Sequence, residues 1–419
     1  MGIGSGGLVR RVPGRSHLVC RAETGGPGPA TVGSPRHGGT SGGGGRGRER
    51  AGLSGRAETG GAVSVSGEAG ERGMPQVAVV VPVYNGRATL PRCLEALREQ
   101  TLPAATVYVV DNGSVDGTWE WLQEEQVRWE RVRVLRETRR GPAAARNAGI
   151  RAALGAGGVE FVAFVDADCV ADRLWLERLI RALDQRKVGA VTGCVQGVGN
   201  ETLVGRYTAL VAWEASRADA VVDRADYTAV GLAGCNACLR ASVLKEVGLF
   251  DERLWISEDW DLGLRVVEAG WELRYAAAAV VRHQYLERTV RELVGRVAKY
   301  GPGRPAILRR HFRRRLFLWA AGRAVACRSP ITGSVQVTSP DKITALLALA
   351  GFRWPWVWAL LLPYGVYLGE RIRMLSLRQG SPISSPWQLA AMTGLNVLES
   401  YVAAASLLVH SIPQGVFCV

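Results

Sequence analysis

The sequence lacks the cysteine pattern of a disulfide-stapled or zinc-binding protein. Its eight cysteines are spread over 419 residues, and their spacing does not form a disulfide framework. Cys235 and Cys238 make one Cys-x-x-Cys motif, but no second pair or nearby histidine completes the four ligands of a structural zinc site. A chain of this length can bury a large core without such staples, so we expect a reducing compartment.

Two further absences bear on function. The segment after the first apolar strand, PVYNGRATL at residues 82–90, is not a glycine-rich phosphate loop, which makes a nucleotidyltransferase on a related sheet the less favoured enzyme class. The formal net charge is +14, and this predicts anionic partners. No aromatic and basic recognition motif accompanies the charge, so a non-catalytic or nucleic-acid binding protein is the weaker alternative, and we expect no nucleic-acid partner.

Residues 1–73 are rich in glycine and arginine and have almost no apolar periodicity. Such a segment cannot bury enough surface to offset its ordering entropy, which predicts disorder. Met74 stands directly before the first apolar strand, and we favour translation starting there; a basic disordered tail is the alternative. We therefore divide the chain into a tail at 1–73, a catalytic domain at 75–305 and a C-terminal segment at 306–419.

Apolar strand patterns alternate with helix patterns between residues 77 and 165. This alternation predicts an α/β fold with a mostly parallel sheet and helices on both faces. Ligands bind such sheets beyond the carboxyl ends of the strands. Asn85, Asp111 and Asp166 each follow a predicted strand, so we expect their side chains to face one cleft.

Two carboxylates, Asp166 and Asp168, stand at the end of the buried strand FVAFV at residues 161–165. Burying a charge costs free energy unless a partner compensates it. A divalent cation such as Mg²⁺ or Mn²⁺ would compensate both acids, because carboxylate oxygens are the ligands that these ions prefer. The alternative is that both acids cap the following helix.

Six motifs follow one another across residues 79–265: VVVPVYNG, VVDNGSVDGT, GPAAARNAGI, FVDAD, LAGCNACLRASVLKEVGLFDE and SEDWDLGLR. In this order they resemble the inverting family 2 glycosyltransferases. The resemblance covers about half of the chain and implies a GT-A fold, a Rossmann-like mixed sheet with helices on both faces. It also implies a divalent cation, Mg²⁺ or Mn²⁺, and transfer of a sugar from a UDP, GDP or dTDP donor to a hydroxyl acceptor.

The resemblance further implies roles for individual residues. Asp168 is expected to be the chief metal ligand, His283 a further metal or diphosphate ligand, and Asp259 the general base. The donor nucleotide is expected to contact Pro82, Tyr84, Asn85, Asp111, Arg146 and Asp166. The acceptor is expected to lie against Gly234, Asn236 and Glu258. A structural histidine and helix-capping acids are the alternatives for His283 and for residues 258–261.

The stretch RVAKYGPGR, residues 296–304, combines glycine and proline with basic side chains. Glycine and proline interrupt regular structure, which favours a mobile lid here. Under this hypothesis Lys299 and Arg304 touch the diphosphate of the donor.

Two apolar stretches in the C-terminal segment, residues 343–369 and 388–409, approach the roughly 20-residue length that spans a bilayer. Arg353 and Glu399 interrupt them and make insertion costly. The basic cluster at residues 309–315 suits attraction to anionic lipid at the cytoplasmic face. We expect a membrane-associated protein with its catalytic domain in the cytoplasm and a lipid-linked saccharide or cell-envelope glycan as acceptor. A helical hairpin packed on protein is the alternative.

Overall fold

The computed structural model describes residues 10–11, 74–212, 218–227, 229, 231–320 and 323–418. The predictions for residues 1–73 therefore lie outside the described residues, apart from Arg10–Arg11, which form strand β1. The other strands of the larger sheet are β2 (Val77–Val83), β3 (Thr106–Asp111), β4 (Val132–Arg136), β5 (Phe161–Val165), β6 (Cys169–Ala171), β7 (Val188–Val198), β8 (Ala220–Val222), β9 (Asn236–Arg240) and β10 (Glu272–Gln284).

The larger sheet has the strand order β1-β8-β10-β7-β9-β5-β2-β3-β4, and β6 pairs with β10 outside this path. Strands β2 to β5 pair in parallel. Strand β9 lies antiparallel between β5 and β7, so the sheet is mixed. The predicted α/β fold is confirmed, and the carboxyl ends of β2, β3 and β5 meet at one edge, as the sequence pattern indicates.

Helices cover both faces of this sheet. They are α1 (Leu90–Arg98), α2 (Thr118–Arg128), α3 (Pro142–Ala156), α4 (Trp175–Leu183), α5 (Leu203–Ala212), α6 (Ala241–Val247) and α7 (Glu258–Glu268). In β2, Val77 and Val79 pack in the core layer with α1 and α4, whereas Ala78 and Val80 pack in the layer with α3 and α7. Because both faces of the strand are covered, β2 is a continuous apolar run rather than an alternating one.

The chain continues through α8 (Val290–Lys299), α9 (Gly303–His311), β11 (Arg315–Ala320), β12 (Arg323–Arg328), β13 (Gly333–Gln336), α10 (Pro340–Arg353), a 3₁₀ helix (Pro355–Leu360), α11 (Leu361–Arg378), α12 (Pro386–Ser411) and β14 (Phe417–Cys418). Strands β11 to β14 form a second sheet with the order β12-β11-β13-β14. Residues 343–369 do not form one continuous helix, so the prediction that this stretch could span a membrane as a single helix is wrong. Trp354 leaves the helical conformation at φ −133° and ψ 87°, since Pro355 disfavours a helical residue before it.

One helical segment in the described part of the chain, residues 386–414, is long and apolar enough to cross a membrane. It corresponds to the predicted apolar stretch at 388–409, whereas the first stretch is divided between α10, the 3₁₀ helix and α11. Length and composition thus leave one candidate membrane span among the described residues. Whether α12 crosses a membrane depends on how it packs against the rest of the protein.

Some side chains of the basic cluster at residues 309–315 form ion pairs with acids of the same chain. The Arg310 Nη1 lies 2.5 Å from the Asp251 Oδ2, and the His311 Nε2 lies 3.0 Å from the Asp261 Oδ1. Asp261 is completely buried and also accepts a hydrogen bond from the Arg265 Nε at 2.8 Å. These contacts fix α9 to α7, so only the other arginines of the cluster remain available to a lipid surface.

Candidate active site

The Asp-x-Asp motif follows β5 directly and places its two acids in different surroundings. The Asp166 Oδ1 accepts a hydrogen bond from the Arg146 Nη2 at 2.7 Å. The Asp168 Oδ1 lies 3.5 Å from the His283 Nε2, and burial raises the pKa of Asp168 while the neighbouring His283 opposes that shift. Asp168, Cys169 and His283 each offer a ligand atom, and these atoms lie within 4.8 Å of one another.

The register of two strands brings His283 to this motif. Strand β6 pairs antiparallel with β10, so that His283 stands opposite Cys169, and the Gln284 backbone N–H donates to the Asp168 carbonyl at 2.9 Å. The His283 ring also stacks on Tyr285, with centroids 4.6 Å apart. Its Nδ1 is buried without a hydrogen-bond partner in the described part of the chain. One oxygen and one nitrogen ligand thus face each other. The carboxylate oxygen is a ligand that Mn²⁺ and Mg²⁺ prefer, whereas an imidazole nitrogen is more typical of other divalent metals.

Arg146 connects the Asp-x-Asp motif to the second acidic motif. Its Nη1 donates to the Glu258 Oε1 at 2.6 Å and its Nη2 donates to the Asp166 Oδ1 at 2.7 Å. The side chain is buried, with 4% of the residue exposed. Burial opposes the charged form, but the Asp166 and Glu258 carboxylates outweigh it and raise the pKa of Arg146. In this structure Arg146 positions two acids, and its predicted donor contact remains a prediction.

Glycine at residue 234 is required by this arrangement. A Cβ atom there would lie 2.9 Å from the Arg146 Cζ, so a larger residue would displace the guanidinium. The Gly234 backbone N–H donates to the Asp259 Oδ2 at 2.7 Å. Gly234 thus holds both the arginine and the predicted base in place.

The second acidic motif opens α7 from a left-handed residue. Ser257 has φ +66°, a conformation that is uncommon outside glycine and is typical of functional sites. Asp259 accepts hydrogen bonds from the Gly234 N–H and, through Oδ1, from the Trp260 N–H at 2.8 Å. Glu258, by contrast, is buried against Arg146, so its side chain contacts the arginine in this structure, and its predicted acceptor contact remains a prediction.

Asp259 lines a cavity of about 530 Å³. The cavity wall also contains Arg304 and aromatic side chains from several separate segments: Tyr227, Trp260, Tyr275, Tyr300 and Trp319. Tyr300 and Arg304 belong to the stretch 296–304 that the sequence pattern singled out, whereas the other wall residues come from distant positions that only the fold brings together. We call this space the acceptor cavity, after the predicted role of Asp259 as the base that would take the proton of an acceptor.

Two predicted donor-binding residues shape the loops after β2 and β3: Asn85 joins the two loops, and Asp111 fixes the turn that follows it. Asn85, at φ +52°, accepts a hydrogen bond from the Val115 N–H through Oδ1 at 2.9 Å. The Asp111 carboxylate accepts from the Gly113 and Ser114 N–H groups, both at 3.2 Å, and Asp111 is completely buried. In this structure both side chains shape the loops, and their predicted nucleotide contacts remain predictions.

The same edge carries Tyr84 and Pro82, the other predicted nucleotide contacts. Tyr84 is exposed, and the Arg140 guanidinium lies 4.7 Å from its ring centroid. Pro82 is half-buried within β2. The sequence pattern missed Arg140, which supplies a cation over an exposed ring, and also Asn112, whose Nδ2 donates to the Arg139 carbonyl at 2.7 Å. Asn112 stands inside the DNGS turn, and turn chemistry alone did not single it out.

Asn236 does not face the acceptor cavity, which corrects its predicted role. It is 0% exposed, and its Nδ2 donates to the Cys194 and Ala279 carbonyls, both at 2.9 Å. Its Oδ1 accepts from the Trp175 Nε1 at 2.8 Å. These bonds use the side-chain amide to join three elements of the core, so Asn236 has a structural role.

Glu258 gives the site a pH-dependent stability. Burial and the nearby Asp259 raise the pKa of Glu258 from 4.5 to about 7, against the opposing effect of Arg146. A raised folded-state pKa means that the folded protein holds the proton more tightly than the unfolded chain does. This contribution to the free energy of unfolding is fully present below pH 4.5 and is lost as the pH rises through about 7.

We therefore expect Glu258→Gln to flatten the pH dependence of the melting temperature across this range. Thermal unfolding of the wild type and the variant at several pH values measures the two slopes. Glu130→Gln, at an exposed position, is the matched control and should keep the wild-type slope. Parallel slopes for wild type and Glu258→Gln would contradict the raised pKa.

The comparisons with known proteins agree with the motifs. The family described as Glycosyl transferase family 2 matches residues 78–248. The glycosyltransferase AglE of Haloferax volcanii is 31% identical over 235 residues, which are 55% of this chain and 73% of that protein. The pre-mycofactocin glycosyltransferase of Mycobacterium tuberculosis is 33% identical over 240 residues, which are 56% of this chain and only 48% of that protein.

Among solved structures, the mannosyltransferase PcManGT from Pyrobaculum calidifontis, in complex with GDP-Man and Mn²⁺, matches with a TM-score of 0.41 and 23% identity, over 54% of this chain and 62% of that chain. The observed mixed sheet, with helices on both faces, agrees with the GT-A fold that the motifs imply. The match with AglE extends over 73% of that protein at 31% identity, and on this basis the chain belongs to glycosyltransferase family 2 and is a glycosyltransferase.

Proposed function

We propose that this glycosyltransferase is metal-dependent and inverting, and that it moves a sugar from a nucleotide-diphosphate donor to a hydroxyl acceptor. The observation that carries the proposal is the Arg146 bridge. One buried guanidinium contacts Asp166 of the first acidic motif and Glu258 of the second, at 2.7 and 2.6 Å. The motif that would bind a metal and a diphosphate and the motif that would supply the general base therefore belong to one cleft.

Asp168 and His283 are the residues that would hold the cation. The Asp168 Oδ1 and the His283 Nε2 are 3.5 Å apart, and an ion between them would neutralise the donor diphosphate and ease its departure. Asp166 is held by Arg146 on one oxygen. It would contact the ribose or a water of the metal shell through its other oxygen.

Asp259 would act as the base. Its carboxylate lines the acceptor cavity and is fixed by the Gly234 N–H at 2.7 Å. An acceptor hydroxyl within hydrogen-bond reach would lose its proton to Asp259 as its oxygen attacks the anomeric carbon. Attack from the face opposite the leaving diphosphate inverts the configuration at that carbon.

The acceptor cavity favours a saccharide. Aromatic rings supply broad apolar surfaces on which sugar rings can pack, and a few polar groups fix their orientation. We propose a lipid-linked saccharide or a cell-envelope glycan, used at the cytoplasmic side of a membrane. The exposed apolar surface of α10, the 3₁₀ helix and α11 supports this choice, together with the exposed arginines at residues 313–315.

Arg304 supplies the test of the diphosphate contact. It lines the acceptor cavity, and its guanidinium makes no ion pair with an acid in the described part of the chain. Loss of a hydrogen bond to a charged group costs about 1.5–3 kcal/mol, so Arg304→Ala should weaken donor affinity or turnover by roughly tenfold or more. Calorimetry and a transfer assay measure the two quantities, with Arg92→Ala at an exposed position as the control. Unchanged affinity and turnover would remove Arg304 from the site.

The stereochemical outcome tests the inverting mechanism. Donor hydrolysis by water in the acceptor cavity can be followed by proton NMR before the released sugar mutarotates. We expect the first anomer released to have the configuration opposite to that of the donor, and Asp259→Asn to slow its release. A released sugar that keeps the donor configuration would contradict direct displacement.

A further inference from the structure

The segment from the end of α10 to the middle of α11 presents a large apolar surface. Phe352 and Trp358 meet edge to face, with ring centroids 5.4 Å apart, and the Trp358 Nε1 donates to the Ala348 carbonyl at 3.0 Å. These contacts fold the 3₁₀ helix against α10 and hold the neighbouring side chains outward. The members with 52% to 77% exposure include Leu349, Phe352, Trp354, Trp356, Leu362 and Val366. We call this surface the tryptophan face.

Arginines border the tryptophan face. Arg353, Arg371 and Arg378 are exposed, and none of the three makes an ion pair with a described acid. The Arg353 guanidinium lies 5.6 Å from the Trp354 ring centroid. Tryptophan beside arginine is typical of the boundary between headgroups and acyl chains, where the ring is partly apolar and the cation meets anionic phosphate. The charge of this border matches an anionic leaflet.

Helix α12, the candidate membrane span, makes polar contacts with helices α5 and α8 and the residues near them. Its Glu399 accepts a hydrogen bond from the Tyr207 hydroxyl at 2.5 Å and lies 3.6 Å from the Arg296 Nη2. The Ser406 hydroxyl donates to the Ala298 carbonyl at 2.8 Å. The Glu399 carboxylate, which would be costly to bury in a bilayer, is thus bound by side chains of the catalytic unit, by which we mean residues 75–305.

The apolar contacts of α12 with the catalytic unit extend along most of the helix. Leu389, Met392 and Leu395 pack with α5 and α8, and Leu407 packs with the cluster around Phe312. From Leu389 to Leu407 the helix rises about 27 Å, close to the roughly 30 Å of a hydrocarbon core. A spanning α12 would draw the charged side chains of α8 into the hydrocarbon, which is costly.

We infer that the tryptophan face docks the protein in the interface of an anionic bilayer and that α12 lies on the catalytic unit instead of crossing the membrane. The inference deepens the membrane location proposed above and rests on that part of the proposed function. A second cavity of about 290 Å³ lies among α8, α9, α10 and α12 and shares Tyr300 and Arg304 with the acceptor cavity. The wall of the second cavity includes Asp341 and Lys342 at the start of α10, the helix whose other end carries the first residues of the tryptophan face.

Vesicle co-sedimentation of the full chain tests the docking surface. We expect binding to vesicles of phosphatidylglycerol and phosphatidylcholine and much weaker binding to phosphatidylcholine alone. The double variants Trp354→Ala with Trp356→Ala, and Arg371→Glu with Arg378→Glu, should each reduce binding about tenfold or more, since each basic residue near the surface contributes about 1 kcal/mol. The controls Val127→Ala and Arg92→Glu, at exposed positions, should bind as the wild type does.

Donor binding by calorimetry separates the two proposals. A variant that binds donor normally but has lost vesicle binding supports the docking surface, whatever sugar is transferred. Equal binding of all variants to anionic vesicles would overturn the inference. The absence of vesicle binding by the wild type would also overturn it. Self-association through the tryptophan face in solution would overturn it as well, because a second copy of the protein would then cover this surface instead of lipid.

The position of α12 is tested by labelling its two ends. Ser384→Cys and Gln414→Cys, each in a Cys327→Ser background, flank α12 at an exposed and a half-buried position. The protein is added to the outside of sealed vesicles, treated with a membrane-impermeant maleimide, and the label is located by peptide mass spectrometry. Labelling of both ends supports an interfacial protein, whereas labelling of one end alone would show a spanning helix and overturn the inference.

Discussion

Asp168→Ala is expected to abolish metal-dependent donor binding. Asp168 offers the carboxylate oxygen that faces His283 at 3.5 Å, and removing it takes the only carboxylate out of the group that it forms with Cys169 and His283. Changes in residues that merely orient metal ligands cost about 10- to 100-fold in metal affinity, so loss of a direct ligand should cost about 100-fold or more. Calorimetric titration of the donor in the presence of Mn²⁺ measures this loss.

The control for this experiment is Asp184→Ala, which removes an exposed acid and should bind donor as the wild type does. Asp168→Ala with Mn²⁺ should bind donor no better than the wild type does with EDTA. If the variant binds donor with wild-type affinity in the presence of the metal, Asp168 is not the ligand that bridges the ion to the diphosphate.

Asp259→Asn is expected to separate binding from transfer. The amide keeps the size of the carboxylate but has one accepting oxygen, so it keeps only one of the two hydrogen bonds from the Gly234 and Trp260 N–H groups. We therefore expect a lower melting temperature, with donor affinity near wild type, because the predicted metal and donor contacts lie on other residues. The amide cannot accept the acceptor proton, and general-base catalysis contributes about 10²- to 10⁴-fold. We therefore expect turnover to fall by about that factor.

Asp184→Asn serves as the matched control for turnover. A shift of the pH–rate profile adds a second readout, because the wild-type rate should depend on an ionised group that the variant lacks. Near-normal turnover of Asp259→Asn, in a sample that binds donor normally, would place the base at another residue.

The strands and the acid-bearing turns were predictable because their signals are local. The FVAFV run, the acids that follow it and the helix that starts at Glu258 each occupy a short stretch of sequence. The fold confirms these elements as β5 and α7. Gly270, at φ +90°, ends the second element as its sequence position indicates.

The relations between distant residues were not predictable in the same way. The family resemblance suggested His283 as a partner of Asp168, but no spacing rule does so, because the register of β6 and β10 brings the two residues together. The burial of Arg146 depends on Gly234 leaving room for its guanidinium. The sequence AARN suggested a donor contact for Arg146. The two acids that position its side chain, Asp166 and the buried Glu258, come from distant parts of the chain.

In the C-terminal segment, amino-acid composition alone did not predict which apolar stretches form a continuous helix. Apolar length indicated two candidate spans, but Pro355 breaks the first and the polar side of α12 binds the catalytic unit. Interior charges such as Glu399 were the available signal. An ionisable residue inside an apolar stretch faces a partner more often than it faces lipid.

The most direct test of the whole account is donor binding by the wild-type chain. A panel of UDP-, GDP- and dTDP-sugars is titrated by calorimetry with Mn²⁺, with Mg²⁺ and with EDTA. We expect one nucleotide class to bind, and only with a divalent cation present. Binding that is equally strong in EDTA, or no binding of any donor by a folded sample, would contradict a metal-assisted site at Asp168 and His283.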